Sequence, residues 1–264
     1  EEKDSNRGIA MAAGLIMTMI SYFFVLTYGG MVMQAVMEEK ANRIVELIVS
    51  SVKPFQLMLG KIAGILLVGL FQLLIWALLL AVIMPIADKL CGVNIAMMSA
   101  SGSTAAVPDA GLSDAMIMWL SVMNLPYLEM GIMFLLLFIG GYLLYASVFA
   151  AIGASINEQQ DSSQFMMPIM LLMAFSLYAA IYSVENTDGP LAFWASIFPL
   201  SSPIVMMVRI PFGVPLWQEI LSVALLYLTA LLGIWGSGRI YRVGILMYGK
   251  KPSLKQMMRW MLKG

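Results

Sequence analysis

Hydrophobic positions in this chain come in long blocks rather than in alternation. Five blocks, at roughly 9–36, 62–86, 131–154, 165–184 and 218–236, reach the length of about 20 apolar residues that a helix needs to cross a hydrocarbon layer. Their length and the lack of a two-residue period predict helices rather than barrel strands, since backbone polar groups in lipid must find partners within the segment. The fold class expected is an all-α polytopic membrane protein, with about five transmembrane helices in a single domain over 1–264.

Polar positions gather between the blocks. The first connection, 37–61, reads "MEEKANRIVELIVSSVKPFQLMLGK" and holds seven charged residues. The first block runs into it without a break. Met37, Ala41, Ile44, Val45 and Ile48 recur at helical spacing, so the helix is expected to continue with one apolar face. Glu39 and Arg43 stand four apart in the favourable order, worth about 0.2–0.5 kcal/mol. Pro54 lacks an N–H and pushes Lys53 out of helical geometry, so a turn falls at Ser50–Pro54 and a new helix begins near Phe55. The expected result is an elbow with its apolar side toward lipid or bundle and its charged side toward solvent.

The second connection, 155–164, contains "NEQQDSSQ" and no basic residue, and Pro168 beyond it is placed to kink the fourth block. Between the second and third blocks, "DKLCGVNIAMMSASGSTAAVPDAGLSD" reads as a mobile loop, followed by a short surface helix around 113–124. After the fourth block, "PLAFWASIFPLSSPIVMMVRIPFGVPLW" is too interrupted to cross. Prolines 190, 199, 203, 211 and 215 predict a broken, re-entrant or interfacial segment, with Trp194 and Trp217 as interface anchors. Ala146, Ala150 and Ala154, and likewise Gly60 and Gly64, have the four-residue spacing that lets helices approach closely in lipid.

Composition supports the membrane reading and charge orients it. The chain is 61% hydrophobic and 11% charged, with mean hydropathy +0.89. Its zero net charge hides an asymmetry. Lys40, Arg43, Lys53, Lys61, Arg239, Arg242, Lys250, Lys251, Lys255, Arg259 and Lys263 fall on one face, against Lys3, Arg7, Lys89 and Arg209 on the other. The basic excess predicts a cytoplasmic 37–61 loop, 155–164 loop and 237–264 tail, with the N-terminus and 87–130 outside. The tail is partly amphipathic, which suits an anionic inner leaflet or a cytoplasmic partner. The opening Glu and charged start do not resemble a signal peptide, and the chain reads as the C-terminal part of a longer protein, entering the membrane from outside.

Several chemistries are poorly served. A lone cysteine, Cys91, forms no internal disulfide, and with no histidine a zinc site is not expected. No GxxxxGK[ST] loop is present, so nucleotide hydrolysis by this chain alone is not expected. Glu129 and Glu219 sit at block edges and read as solvated. "EEKANR" fits the EExxxR pattern of CAAX-type intramembrane proteases, but those also need histidines or comparable polar groups on later spans, and this chain has no histidine.

The same stretch fits another pattern more fully. Glu38, Glu39, Lys40, Asn42, Arg43, Glu46, Ser50, Ser51, Pro54, Leu57, Gly60 and Lys61 follow, in order, an acidic pair, Lys, Asn-Arg, Glu-x-x-x-Ser and Pro-x-x-Leu-x-x-Gly-Lys. The segment resembles the first cytoplasmic loop of type-2 ABC exporter permeases, the class that includes sodium-extrusion permease subunits. Asn157, Glu158, Gln159, Gln160 and Asp161 resemble that family's second cytoplasmic loop. Pro199, Ser202, Pro203 and Arg209 lie in a stretch similar to its proline-rich external segment. The likeness covers roughly 9–240.

The resemblance implies a six-span permease with a large external domain after its first span. This chain would then lack that span and domain. It implies a bacterial inner-membrane location and two paired permease halves, identical or different. Each half would sit on a cytoplasmic ATPase subunit that carries the ATP and Mg²⁺, and this chain would be an exporter subunit without its own enzymatic site. The elbow, Glu38 to Pro54 with Lys53, would be the ATPase-coupling element. Sodium ions, drugs, peptides or lipid-like molecules are all allowed as cargo, and the uncharged, Met-rich spans lean toward hydrophobic ones. Two other classes compete. One is an ATP-independent channel or secondary carrier, which would show buried charges and mid-membrane helix breaks. The other is a membrane anchor for an external sensor domain.

Overall fold

A computed structural model describes residues 2–42, 52–91, 127–156, 162–247, 256 and 259–261. Among these every regular element is helical: α1 (Glu2–Ala41), α2 (Pro54–Cys91), α3 (Tyr127–Ser155), α4 (Ser162–Glu185), α5 (Pro190–Ile197), α6 (Ser202–Arg209), a 3-10 turn (Ile210–Phe212) and α7 (Leu216–Gly244). Five of them, α1, α2, α3, α4 and α7, are long and apolar enough to cross a membrane. The protein is a multi-pass, all-α membrane protein. Each of the five expected blocks lies inside one of these helices, which overrun it at both ends. The predicted surface helix at 113–124 and the Gly/Ser-rich loop before it lie outside the described residues.

Proline marks where helices begin. Pro54 opens α2 and Pro190 opens α5, where a missing N–H is harmless because the first turn has no acceptor for it. The expected start of α2 near Phe55 is thus one residue late. Helix α4 runs on through Pro168.

The core forms around α3. In the most apolar stretch of α3, 61% of residues are buried, against 6% for α2, so α3 is the central helix and α2 a peripheral one. One cluster joins Val25 and Met33 of α1 to Tyr145 and Phe149 of α3, Met173 of α4 and Ile204, Val205 and Val208 of α6. A second joins Val32 and Val36 of α1, Met58 and Ile62 of α2, Ala146, Ala150 and Ala154 of α3, and Tyr241 of α7. A third joins Leu137 and Leu144 of α3 to Met206 and Met207 of α6 and Leu226 of α7. The alanine series thus lies at a contact between helices, as its spacing predicts. Gly60 and Gly64 do not, for a Cβ at either would meet nothing within 4 Å. They sit on the open side of α2, whose Leu67, Phe71, Leu74 and Leu78 are exposed.

The interrupted segment dips into the bundle. All eight residues of α6 are buried. Thr18 and Ser21 of α1 donate hydrogen bonds to the carbonyls of Ile204 (3.1 Å) and Pro203 (3.0 Å), and Tyr145 of α3 donates to Leu200 O at 2.6 Å. Thr18 and Ser21 lie about 12–17 Å along α1 from Ala10, at 1.5 Å per residue. Its broken backbone is satisfied within the bundle by these neighbouring hydroxyls. Small residues make the room. A Cβ on Gly141 would lie 2.6 Å from Pro203 Cβ, and one on Gly14 2.8 Å from Val208 O. Gly213, at φ 79°, ends the dip in the left-handed conformation that glycine adopts without penalty.

Candidate functional site

The described part of the first connection lies at one end of the bundle, where α1, α3 and α7 finish and α2 starts. The last turn of α1 holds Glu38, Glu39 and Lys40, and the Asn42 N–H closes it by donating to Glu38 O at 3.0 Å. Helical rotation sends these side chains to different places. Glu38 and Asn42 are exposed, Glu39 is half-buried and Lys40 is buried.

Lys40 departs most from expectation. Its ammonium donates to Ala154 O at 2.6 Å and to Gly244 O at 2.9 Å. Ala154 is the penultimate residue of α3 and Gly244 the last of α7, so both carbonyls lack partners within their own helices. A cation there also meets the negative ends of two helix dipoles. Lys40 therefore points into the bundle and ties three helix ends together, correcting its placement on an outward charged face. A signal for this was available. Val25, Val32, Val36 and Lys40 are spaced by seven, four and four, so Lys40 continues the buried stripe of α1.

Glu39 has a partner on another helix. Its described partner is Lys61 of α2, 2.6 Å from Oε2, an ion pair that lies off the hydrogen-bond axis. Arg43, the partner expected from four-residue spacing, lies outside the described residues. Lys61 also donates to Ala35 O at 3.0 Å, so the Glu38–Lys61 neighbourhood binds the end of α1 to the start of α2. Lys53 is exposed and Pro54 half-buried. Glu46, Ser50 and Ser51, and the second-loop set Asn157, Glu158, Gln159, Gln160 and Asp161, also lie outside the described residues.

At the opposite end the polar residues are buried rather than solvated. Arg209 is 2% exposed and donates through Nε to Thr187 O (2.8 Å) and through Nη1 to Ser196 Oγ (2.6 Å). The Ser196 carbonyl accepts from Ser222 of α7 at 2.7 Å. Ser202 and Pro203 are wholly buried in α6. Glu219 is 2% exposed, faces Glu129 of α3 and leaves Oε1 without a hydrogen-bond partner. That overturns its reading as a solvated edge residue. Trp194 and Trp217 are exposed, as anchors at an interface would be.

Among the described residues no group of three or more His, Cys, Asp or Glu could hold a metal ion. What the geometry offers is mechanical: three helix ends joined by one buried cation, next to the exposed Glu38 and Asn42.

The profile of the ABC-2 family transporter proteins matches residues 3–239. The chain belongs to the ABC-2 transporter family. Two relatives agree in extent with that match. The uncharacterized protein YhaP of Bacillus subtilis (strain 168) is 27% identical over 258 residues, covering 97% of this chain and 57% of its own. The uncharacterized protein MJ1024 of Methanocaldococcus jannaschii is 25% identical over 244 residues, covering 92% and 52%. The chain thus spans a little over half the length of either relative. No solved structure matches it. The Lys40 end of the bundle holds the described residues of the first-loop pattern.

Proposed function

We propose that this chain is the permease subunit of an ATP-binding-cassette exporter, moving substrate out of the cytoplasm with ATP and Mg²⁺ bound by a separate ATPase subunit. The observation that carries the reading is the joint at Lys40. Glu38 and Asn42 stand exposed just beyond a buried cation that links α1 to the ends of α3 and α7. A force applied to that exposed turn passes into three helices at once. The joint lies on the face with eleven of the fifteen Lys and Arg residues, the cytoplasmic face by charge bias. The elbow from Glu38 to Pro54 then meets the ATPase, and a second permease half completes the path. Export is the direction the loop pattern supports.

Affinity purification of the full-length protein from its native membrane tests this. An ATPase subunit bearing Walker motifs is expected to co-purify, with ATP hydrolysis that depends on the permease. Purification without such a subunit from membranes that contain one would sink the proposal.

A second reading, an ATP-independent carrier, draws on buried Glu219 facing Glu129 and on the buried α6, features that ion-coupled carriers share. It requires transport to persist when the ATPase is inactivated by a Walker-B substitution.

A further inference from the structure

Next to the Lys40 joint, between the start of α2 and the last turns of α7, lies a cavity of about 590 Å³ lined by Lys53, Pro54, Phe55, Gly238, Arg239 and Arg242. Among its described lining residues, Lys53, Arg239 and Arg242 are cations and none is acidic. Among the described residues no carboxylate is paired with any of the three. The positive end of the α2 dipole, at Pro54, adds to the same field.

The wall beside this cavity faces hydrocarbon. Leu228, Leu231, Leu232 and Trp235 are all more than half exposed. Their spacing puts them on one face of α7, and that face continues to Arg239 and Arg242. The Arg239 guanidinium stands 4.0 Å over the Trp235 ring and donates through Nη1 to Met261 O at 3.2 Å, so it is held at the top of the stripe. An apolar track about two turns long ends in a three-cation cavity, at the level where a spanning helix leaves the hydrocarbon.

The geometry points to a site for the phosphate of an anionic phospholipid, its acyl chain lying along Leu228–Trp235 and its headgroup held by Lys53, Arg239 and Arg242. The chemistry is that of a phosphodiester anion met by two guanidinium groups and an ammonium. A free phosphate shares the headgroup contacts but gains nothing from the track. A soluble protein would not use the track either, because lipid covers it. The site requires only that the chain spans a membrane with this end at a headgroup layer, so it stands whichever leaflet that is and whether or not an ATPase binds.

Native mass spectrometry of the detergent-purified full chain, titrated with phosphatidylglycerol or with phosphatidylcholine of the same acyl chains, tests the inference. Phosphatidylglycerol is expected to be retained at roughly tenfold lower concentration or better. Each cation removed should cost about fivefold, so Arg239→Gln with Arg242→Gln should bring retention to the phosphatidylcholine level. Lys53→Gln, outside any helix and exposed, gives a smaller loss in a protein whose melting temperature is unchanged, which separates lost contacts from misfolding. Equal retention of the two lipids by the unsubstituted chain would overturn the site, as would an undiminished preference in the Arg239/Arg242 variant. Displacement of phosphatidylglycerol by millimolar inorganic phosphate would reassign the pocket to a free anion and overturn the lipid. Loss of ATPase co-purification in the variants with lipid preference intact would make it a protein-docking surface instead.

Discussion

The Lys40 ammonium lies 2.9 Å from the carbonyl oxygen of Gly244, 204 positions later in the chain, and holds the end of α7 to the end of α1. The same nitrogen holds Ala154 O at the end of α3. Hydrogen bonds from a charged donor contribute roughly 1.5–3 kcal/mol each; without Lys40 the Gly244 oxygen still accepts from the Met247 N–H at 3.2 Å. Lys40→Met keeps the apolar stem and removes the donor. It should lower stability by about 2–4 kcal/mol in thermal melts in detergent, whereas Glu38→Ala, on the exposed side of the same turn, should stay within about 0.5 kcal/mol. Equal melting temperatures for the two variants would show that Lys40 is no joint.

Periodicity carried the architecture. Block length and the absence of clustered prolines separated the five long helices from the proline-broken segment, because crossing lipid demands both length and unbroken backbone pairing. Direction was harder to read. Lys40 looked like part of a solvated charged face because its neighbours Glu38, Glu39 and Asn42 are polar, yet its register follows Val32 and Val36 into the core. Glu39 also meets Lys61 across the α1–α2 contact, a partner that no spacing within one helix marks. Nothing local marks Glu219 as facing Glu129, since 90 positions separate them and only the packing of α7 on α3 brings them together. The glycine spacings show the same limit. A Cβ on Gly60 or Gly64, which carry the small-residue pattern, would meet nothing, while Gly141, in no such pattern, admits α6 together with Gly14.

Substitutions at those glycines separate pattern from contact. Gly141→Ala places a Cβ 2.6 Å from Pro203 Cβ, which α6 can escape only by moving. Overpacking of this kind costs about 1–3 kcal/mol. Gly64→Ala meets open space and removes a flexible residue from a helix, so it should be neutral or stabilising by up to about 1 kcal/mol. Melting temperatures check both, and a Gly141→Ala protein as stable as the parent would mean that α6 does not seat where Thr18 and Ser21 hold it.

Glu219 exposes 2% of its surface, faces another carboxylate and has one oxygen without a partner. Its side chain is also hydrogen-bonded to Glu129, so the pair holds a proton between its carboxyl groups, and losing that proton would leave two buried like charges that oppose folding. Glu219→Gln keeps the shape and drops the charge. It should raise the melting temperature, by about 2–4 °C for each kcal/mol gained. Glu129→Gln, on the half-buried partner, should raise it less. A fall with Glu219→Gln would mean that the Glu219–Glu129 hydrogen bond contributes more than relief from the facing charges.

The elbow prediction follows from which charges are occupied. Glu39 is committed to Lys61, so Glu39→Lys sets two ammonium groups against each other and should destabilise the bundle; adding Lys61→Glu restores an ion pair in reverse and should recover most of the loss. Stability is the readout there, and ATPase binding would follow it. Glu38 differs because it is exposed and has no described ion-pair partner, so Glu38→Lys should leave the melting temperature within about 0.5 kcal/mol of the parent. Like charges brought together across a protein interface can cost several kcal/mol. If the turn after Lys40 docks on an ATPase, Glu38→Lys should therefore cut ATPase co-purification at least tenfold in a fully folded protein. The reversed Glu39/Lys61 pair, with Glu38 intact, should retain it. Normal ATPase association by the Glu38→Lys protein would place the docking surface elsewhere, and the Lys40 joint would then hold the bundle together without transmitting force from a partner.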